Sequence, residues 1–321
     1  GCEYAVMEVS SQGIKMHRTD GLYFNYAIFT NISPDHIGPG EHADFEEYLY
    51  YKTRLLNMCG IGLVNKDDKH APQIIKAANC ELYTYSEESK EADFVASDIR
   101  YVSQPDFVGT EFHISGKYDM EVRLGIPGLF NVVNALAAVS VCSFLGLDQA
   151  RISHALENIR VNGRMEIVYT SERCTVLVDY AHNAVSMESL LSTLRDYKPK
   201  RLVCVFGCGG NRSKDRRYSM GEIGGKMADL SIITADNSRY EKVEDIIADI
   251  RGSIEKTGGK FIEIPDRREA IRYSILHAQP GDMVAVIGKG HEDYQEINGV
   301  RHHFLDREVI EETVKELGEK A

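Results

Sequence analysis

In the second half of the chain, apolar runs stop abruptly at Gly, Asp, Asn or His: "RLVCVFGCGG", "DLSIITADNS", "KFIEIP" and "DMVAVIGKGH". Runs of this kind, without polar alternation, belong to strands buried on both faces, the condition of a mostly parallel sheet covered by helices. Helical stretches such as "KVEDIIADIRGSI" and "RREAIRYSIL" separate them. The pattern predicts an α/β sheet whose strands end in polar loops along one edge. In open α/β sheets that carboxyl edge is the ligand face.

The first half repeats the alternation. "YAVMEVSS" and "YAIFTNIS" read as buried parallel strands, "HADFEEYLYYKTRLLNM" has apolar residues at helical spacing, and "IGLVNKDD" is a further strand with a polar exit. From about Tyr83 to Leu124 shorter alternating segments, "TEFHIS" and "DMEVRL", predict a small antiparallel addition. "FNVVNALAAVSVCSFLGL" predicts a strong helix closed by Gly146. With 321 residues, 43% of them hydrophobic, the chain is long enough for about two domains. The boundary is expected near Val161, giving domains 1–160 and 161–321, with two strands around a polar turn opening the second.

The net charge of −12 disfavours a general nucleic-acid role, which needs clustered Lys and Arg. Seven scattered cysteines form no CxxC pair, so they read as ordinary thiols. No apolar run approaches the roughly 18 residues of a membrane span, and the first residues lack the form of a signal peptide, so a cytoplasmic protein is expected. An anionic ligand would have to be held by local cations. One cluster is Arg212, Lys214, Arg216 and Arg217; another, Arg267 and Arg268 in "PDRREA", reads as a solvated helix start.

The glycine-rich loop "VFGCGGNRSKDRR" invites a phosphate-binding reading, but GxxxxGK[ST] and GxGxxG are both absent from the chain. A basic loop after a strand can bind a carboxylate or a phosphate, with Arg212 as a bidentate fork, and the residues alone leave both open.

"MEVSSQG", "TNISPDH", the "YYK" ending at Lys52, "GLFNVVNALAA", "NGRME", "DYAHN", "FGCGGNRSKDRR", "ADNSRYE" and "GKGHEDYQ" occur in an order that resembles the Mur ligases, specifically the type adding the third residue of the peptidoglycan stem peptide. The resemblance covers nearly the whole chain. It implies part of a central ATPase domain, a mostly parallel sheet with helices, followed by a Rossmann-like α/β domain that delivers the amino acid. The implied activity is an ATP-dependent, ADP-forming amide ligation through an acyl phosphate. Meso-diaminopimelate would be joined to UDP-N-acetylmuramoyl-L-Ala-D-Glu by a cytoplasmic monomer that binds neither nucleic acid nor membrane. The chain starts after the place where the family has its Walker A loop, so this chain by itself is expected to be inactive.

The resemblance also implies roles for individual residues. Glu8 and His36 are implied magnesium ligands, with Lys52 as a carbamate beside a second magnesium; for Lys52 the alternative is an ordinary lysine snorkelling to solvent. Ser10 and Arg18 resemble contacts to the muramoyl dipeptide. Asn131 and Asn134, one helical turn apart, resemble residues near the adenine. Arg164 and Asp179 resemble other nucleotide contacts, while His182 reads equally as such a contact or as a satisfied loop histidine. For the amino acid, Arg212, Asp236, Asn237, Arg239, Gly288 and Glu292 match the diaminopimelate-adding type, with Arg239 and Glu292 complementing the distal carboxylate and ammonium. Met16 stands where the family often has glutamine, and Ser238 where it has proline. The alternatives are addition of L-lysine or another diamino acid, a folylpolyglutamate synthase of the same superfamily, or a non-catalytic binding protein with this fold.

Overall fold

The computed structural model describes residues 1–34, 37–38 and 40–318. They form two compact units, one of residues 1–99, 112–122 and 130–156, the other of 100–111, 123–129 and 157–321.

The first sheet is built from β1 (Phe24–Phe29), β2 (Cys59–Asn65), β3 (Glu81–Ser86), β4 (Phe94–Gln104), β5 (Phe107–Gly116) and β6 (Met120–Leu124), neighbours in that order. Pairing is parallel from β1 through β4. The accompanying helices are α1 (Ser11–Lys15), α2 (Phe45–Thr53), α3 (Ala71–Ala77), α4 (Leu129–Phe144) and α5 (Gln149–Glu157). Asp44 caps α2 by accepting from the Glu47 amide, and Phe45, Tyr48 and Leu49 recur on one face. That face joins Ala27 and Phe29 of β1, Val64 of β2 and Ile74 of α3 in a core.

Two expectations fail here. "YAVMEVSS" is no strand: among the described residues nothing pairs with it, and Val6 is fully exposed. An apolar run becomes a strand only beside another strand, and β1 is paired to β2 alone. Tyr83 belongs to β3 and thus to the parallel series, not to an antiparallel addition, because Glu81 to Tyr85 register against Ile61 to Asn65.

The second unit contains β7 (Glu166–Thr170), β8 (Cys174–Asp179), α6 (Ala184–Asp196), β9 (Arg201–Phe206), α7 (Lys214–Met227), β10 (Leu230–Ile233), α8 (Val243–Thr257), β11 (Phe261–Glu263), α9 (Arg267–Leu276), β12 (Asp282–Ile287), β13 (Tyr294–Ile297), β14 (Val300–His303) and α10 (Asp306–Glu316). The strand order is β11-β10-β9-β12-β8-β7, parallel throughout except for the antiparallel edge strand β7. Alternate residues of each strand serve different layers. Leu202, Cys204 and Phe206 of β9 join the core with Leu190 of α6, Met220 of α7 and Ile250 of α8, whereas Val203 and Val205 join Ile271 of α9 and Ile310 of α10. Period-two packing into two apolar layers explains why these strands read as unbroken apolar runs.

The solvated-helix-start reading of Arg267 is also overturned. Arg267 is fully buried, makes paired bonds of 2.7 Å to Asp306, and donates to the carbonyls of Ala235 at 3.2 Å and Ile287 at 3.0 Å. A buried guanidinium persists only with its donors satisfied, and here it ties the chain after β10 to the end of β12. Arg268, next along the helix, does stay exposed, beside Glu312.

Urea melts of Arg267→Met are expected to show a loss of about 3–5 kcal/mol, because Asp306 is left as a buried unpaired charge. Adding Asp306→Leu should recover much of it, and a single-variant loss below about 1 kcal/mol would contradict the account. A second expectation concerns Glu87, just after β3. Burial, then the charges of Asp67 and Glu88, push its carboxyl up to about 7. The folded chain therefore holds this proton more tightly than the unfolded chain. The group adds stability below the ordinary glutamate range, and that contribution is lost as pH rises toward about 7. Glu87→Gln should flatten the fall in chemical-denaturation stability over that window; an identical slope in variant and parent would count against it.

Candidate functional site

In the second unit, Ile287 registers against Asp179, Val286 against Val205 and Ile233 against Phe206, so β8, β9, β10 and β12 finish nearly level. The loops after them leave from one edge.

The loop after β9 is glycine-rich because another loop lies against it. A Cβ at Gly207 would overlap the carbonyl oxygen of Thr234, and one at Gly210 that of Ser238. The Gly210 amide donates to the Asn237 carbonyl at 2.8 Å. The basic cluster that follows is divided. Arg217 is buried between Asp249 at 2.9 Å and Glu241 at 2.8 Å, and Lys214 lies 3.0 Å from Asp249. Arg212 remains exposed, beside Gly209 on the side where Arg239 also approaches.

After β10, Asp236 and Asn237 are buried. The Asn237 amide nitrogen donates to Glu292 at 3.1 Å, and its oxygen accepts from the Glu296 amide at 2.9 Å. Arg239 has φ 52°, a left-handed conformation costing a non-glycine residue about 1 kcal/mol or more. The end of β13 and the turn into β14 hold it there: the Arg239 amide donates to the Glu296 carbonyl at 3.0 Å and its carbonyl accepts from the Asn298 amide at 2.6 Å. The guanidinium donates to the Gly210 carbonyl at 2.6 Å and lies 3.5 Å from the Glu296 carboxylate.

After β12, Gly288 has φ 111°, and a Cβ there would come within 2.8 Å of an Asp236 carboxylate oxygen. Its amide donates to the Asp179 carbonyl at 3.1 Å. Lys289 is completely buried, with its ammonium 3.3 Å from both Asn237 Oδ1 and Glu292 Oε2. The Tyr180 hydroxyl donates to the other Glu292 oxygen at 3.4 Å. Asp236, Asn237, Arg239, Gly288 and Glu292 are thus gathered into one polar cluster.

Asp179 accepts from the amides of Met165 at 2.8 Å and Ala181 at 2.7 Å. Burial pushes its carboxyl above the usual range, opposed by these two bonds and by Arg164. Arg164 is exposed, with its guanidinium 5.0 Å from the Tyr180 ring centroid. His182 Nδ1 lies 2.9 Å from the Tyr180 carbonyl, which satisfies one ring nitrogen.

In the first unit, Ser10 caps α1, its hydroxyl accepting from the Gly13 amide at 2.9 Å, and Arg18 is exposed beside the Met16 sulfur at 3.5 Å. Glu8 is exposed on the segment before α1. Lys52 is half-buried on α2, its ammonium 5.5 Å from the Tyr48 ring centroid. Asn131 and Asn134 lie in the first turns of α4, on the side away from buried Val132 and Leu136. His36 lies outside the described residues, and among those described no group of three or more His, Cys, Asp and Glu could hold a metal ion. Nor is any described helix long and apolar enough to cross a membrane.

Tyr180, Lys289 and Glu296 complete the polar cluster without being marked by residue type in the sequence. Lys289 stands inside "GKGHE", but only the fold shows that its charge is buried there.

Residues 1–142 match the family model described as the Mur ligase middle domain, and residues 163–290 the one described as Mur ligase, glutamate ligase domain. A UDP-N-acetylmuramoyl-L-alanyl-D-glutamate–2,6-diaminopimelate ligase of Caldanaerobacter subterraneus is 38% identical over 98% of this chain and 64% of its own length. A second ligase of that name, from Clostridium acetobutylicum, is 40% identical over 97% of this chain and 64% of its own length. A solved structure of a ligase of that name superimposes with a TM-score of 0.76 at 34% identity, covering 97% of this chain and 64% of that one. At 19% identity, folylpolyglutamate synthase of Thermotoga maritima shares the fold alone, with a TM-score of 0.59 over 82% of this chain and 57% of its own. The chain thus spans just under two thirds of the length of the curated relatives it matches. Two consecutive domain matches, and identities of 38–40% over nearly all of its residues, place the chain in the Mur ligase family, of which it carries the middle and C-terminal domains.

Proposed function

We propose that this chain is the ATPase and amino-acid-delivering part of a ligase that joins meso-diaminopimelate to UDP-N-acetylmuramoyl-L-Ala-D-Glu in the cytoplasm. The observation that carries the reading is the polar cluster at the carboxyl edge of the second unit. There Glu292 bonds Asn237, and Arg239, two residues after Asn237 and opposite in charge to Glu292, bonds the Gly210 carbonyl and faces Glu296. A zwitterionic amino-acid end needs one cation for its carboxylate and one anion for its ammonium. Arg239 and Glu292 supply them, with Asp236, Asn237, the Gly288 backbone and the exposed Arg212 as further contacts.

In the proposed reaction a carboxylate oxygen of the muramoyl dipeptide bonds to the γ-phosphorus of ATP as the bond to ADP breaks. The free amine of the diamino acid, its proton lost to solvent, then attacks the acyl carbon and inorganic phosphate leaves. Both steps concentrate negative charge, which magnesium carried by ATP offsets. In the same reading Ser10 and Arg18 are assigned to the dipeptide, Asn131 and Asn134 to the adenine, and Arg164, Asp179 and His182 to other parts of the nucleotide, while Glu8 and His36 would be magnesium ligands. Lys52 would be carbamylated, turning a cation into an oxygen ligand; its half-buried place beside Tyr48 is compatible with that chemistry.

The test is amino-acid-dependent phosphate release by the natural full-length protein supplied with ATP, magnesium and UDP-N-acetylmuramoyl-L-Ala-D-Glu. Meso-diaminopimelate should be used at least about 100-fold better than L-lysine in kcat/KM, since lysine leaves Arg239 without its carboxylate. Equal use of lysine, or release with neither, would refute the assignment of the amine. For Lys52, 13C-bicarbonate should give a carbamate resonance that Lys52→Arg lacks, and the same spectrum from parent and variant would contradict the modification.

A further inference from the structure

We infer that Lys289 is a positioning residue for the amino-acid site, the resident counter-ion that fixes Glu292 and Asn237 before substrate arrives. This rests on the functional reading above and deepens it.

The argument begins with burial. Lys289 is 0% exposed, yet it carries an ammonium that cannot reach solvent. A buried ammonium must be matched by an anion and by acceptors. Here the acceptors are Glu292 Oε2 and Asn237 Oδ1, each at 3.3 Å, with the Tyr294 ring centroid 5.3 Å away. Its whole charge is therefore compensated by two side chains of the proposed substrate cluster and one ring.

The consequences are geometric. An asparagine amide can face either way, but Asn237 Oδ1 is claimed by the Lys289 ammonium and the Glu296 amide, so Nδ2 is turned to Glu292. Glu292 in turn is held at one oxygen by Lys289 and Asn237 and at the other by the Tyr180 hydroxyl. Its side chain keeps 22% exposure, so the carboxylate reaches the surface from a fixed seat. With Lys289 present, Glu292 is an anion of defined orientation; without it, Glu292 keeps only the Asn237 and Tyr180 donors and Asn237 Oδ1 only the Glu296 amide, so both are held less firmly and the Glu292 charge loses its resident counter-ion. Pre-organised partners of this kind lower the ordering cost of binding.

The experiment compares the natural full-length enzyme with Lys289→Met, Lys289→Gln and Lys289→Arg. For Lys289→Met the KM for meso-diaminopimelate should rise at least about tenfold, while the KM values for ATP and the UDP-linked dipeptide stay within about twofold. Lys289→Arg, which keeps the charge, should recover most of the loss. Lys289→Gln keeps a donor without the charge and covers the case in which the methionine variant fails to fold; it too should lose diaminopimelate affinity. The stabilisation of the parent by meso-diaminopimelate in thermal melts should shrink in parallel for the Met and Gln variants. An unchanged KM for diaminopimelate, or an equal rise for all three substrates, would overturn the inference by showing a merely structural lysine. Absence of ligation by the parent enzyme would instead overturn the functional reading on which the inference rests.

Discussion

The second unit depends on one constraint: its central strands have no polar face. Because β8, β9 and β12 pack apolar side chains into helices on both sides, polar chemistry is driven to their ends, and the level register of those ends gathers it at one edge. Arg267 is the exception that reinforces the arrangement. Its guanidinium is fully buried and spends its donors on Asp306 and on the carbonyls of Ala235 and Ile287. The loop bearing Asp236 and Asn237 and the loop bearing Gly288 and Glu292 thus start from anchored points.

The carboxyl edge is also balanced internally. Glu292 is met by Lys289, and Arg239 by Glu296, so each side chain assigned to the substrate's charges already faces a resident charge of opposite sign. The left-handed backbone at Arg239 belongs to the same design. Bonds to Glu296 and Asn298 over-determine it, which is the condition under which a strained conformation persists at a site. Glycine at 207 and 210 serves close approach between two loops, so the feature that looks most like a phosphate cradle in the sequence is, in the fold, a packing device.

How much of this was legible in the sequence follows from the range of the interactions. The parallel strands of the second unit could be read because burial on both faces leaves unbroken apolar runs, a local signal. The residues now gathered in the polar cluster could be named only through resemblance, since "ADNSR" and "GKGHE" lie far apart in the chain. The segment at residues 4–9 looks like a strand in the sequence because an apolar run does not reveal whether a neighbouring strand exists; in the fold Val6 is exposed. Arg267 is not legible for a related reason: a cation at a helix start is usually solvated, and its burial depends on Asp306, far along the chain. Lys289 hides in the same way, its partner Asn237 arriving only through the fold.

The most direct test of the central claim, that the carboxyl edge of the second unit seats a diamino acid, is a crystal structure of the protein with meso-diaminopimelate bound. The account predicts one carboxylate of the ligand on the Arg239 guanidinium and the neighbouring ammonium on Glu292, with Lys289 still seated behind that carboxylate. A ligand bound elsewhere, or bound here with Arg239 and Glu292 facing away from it, would contradict it.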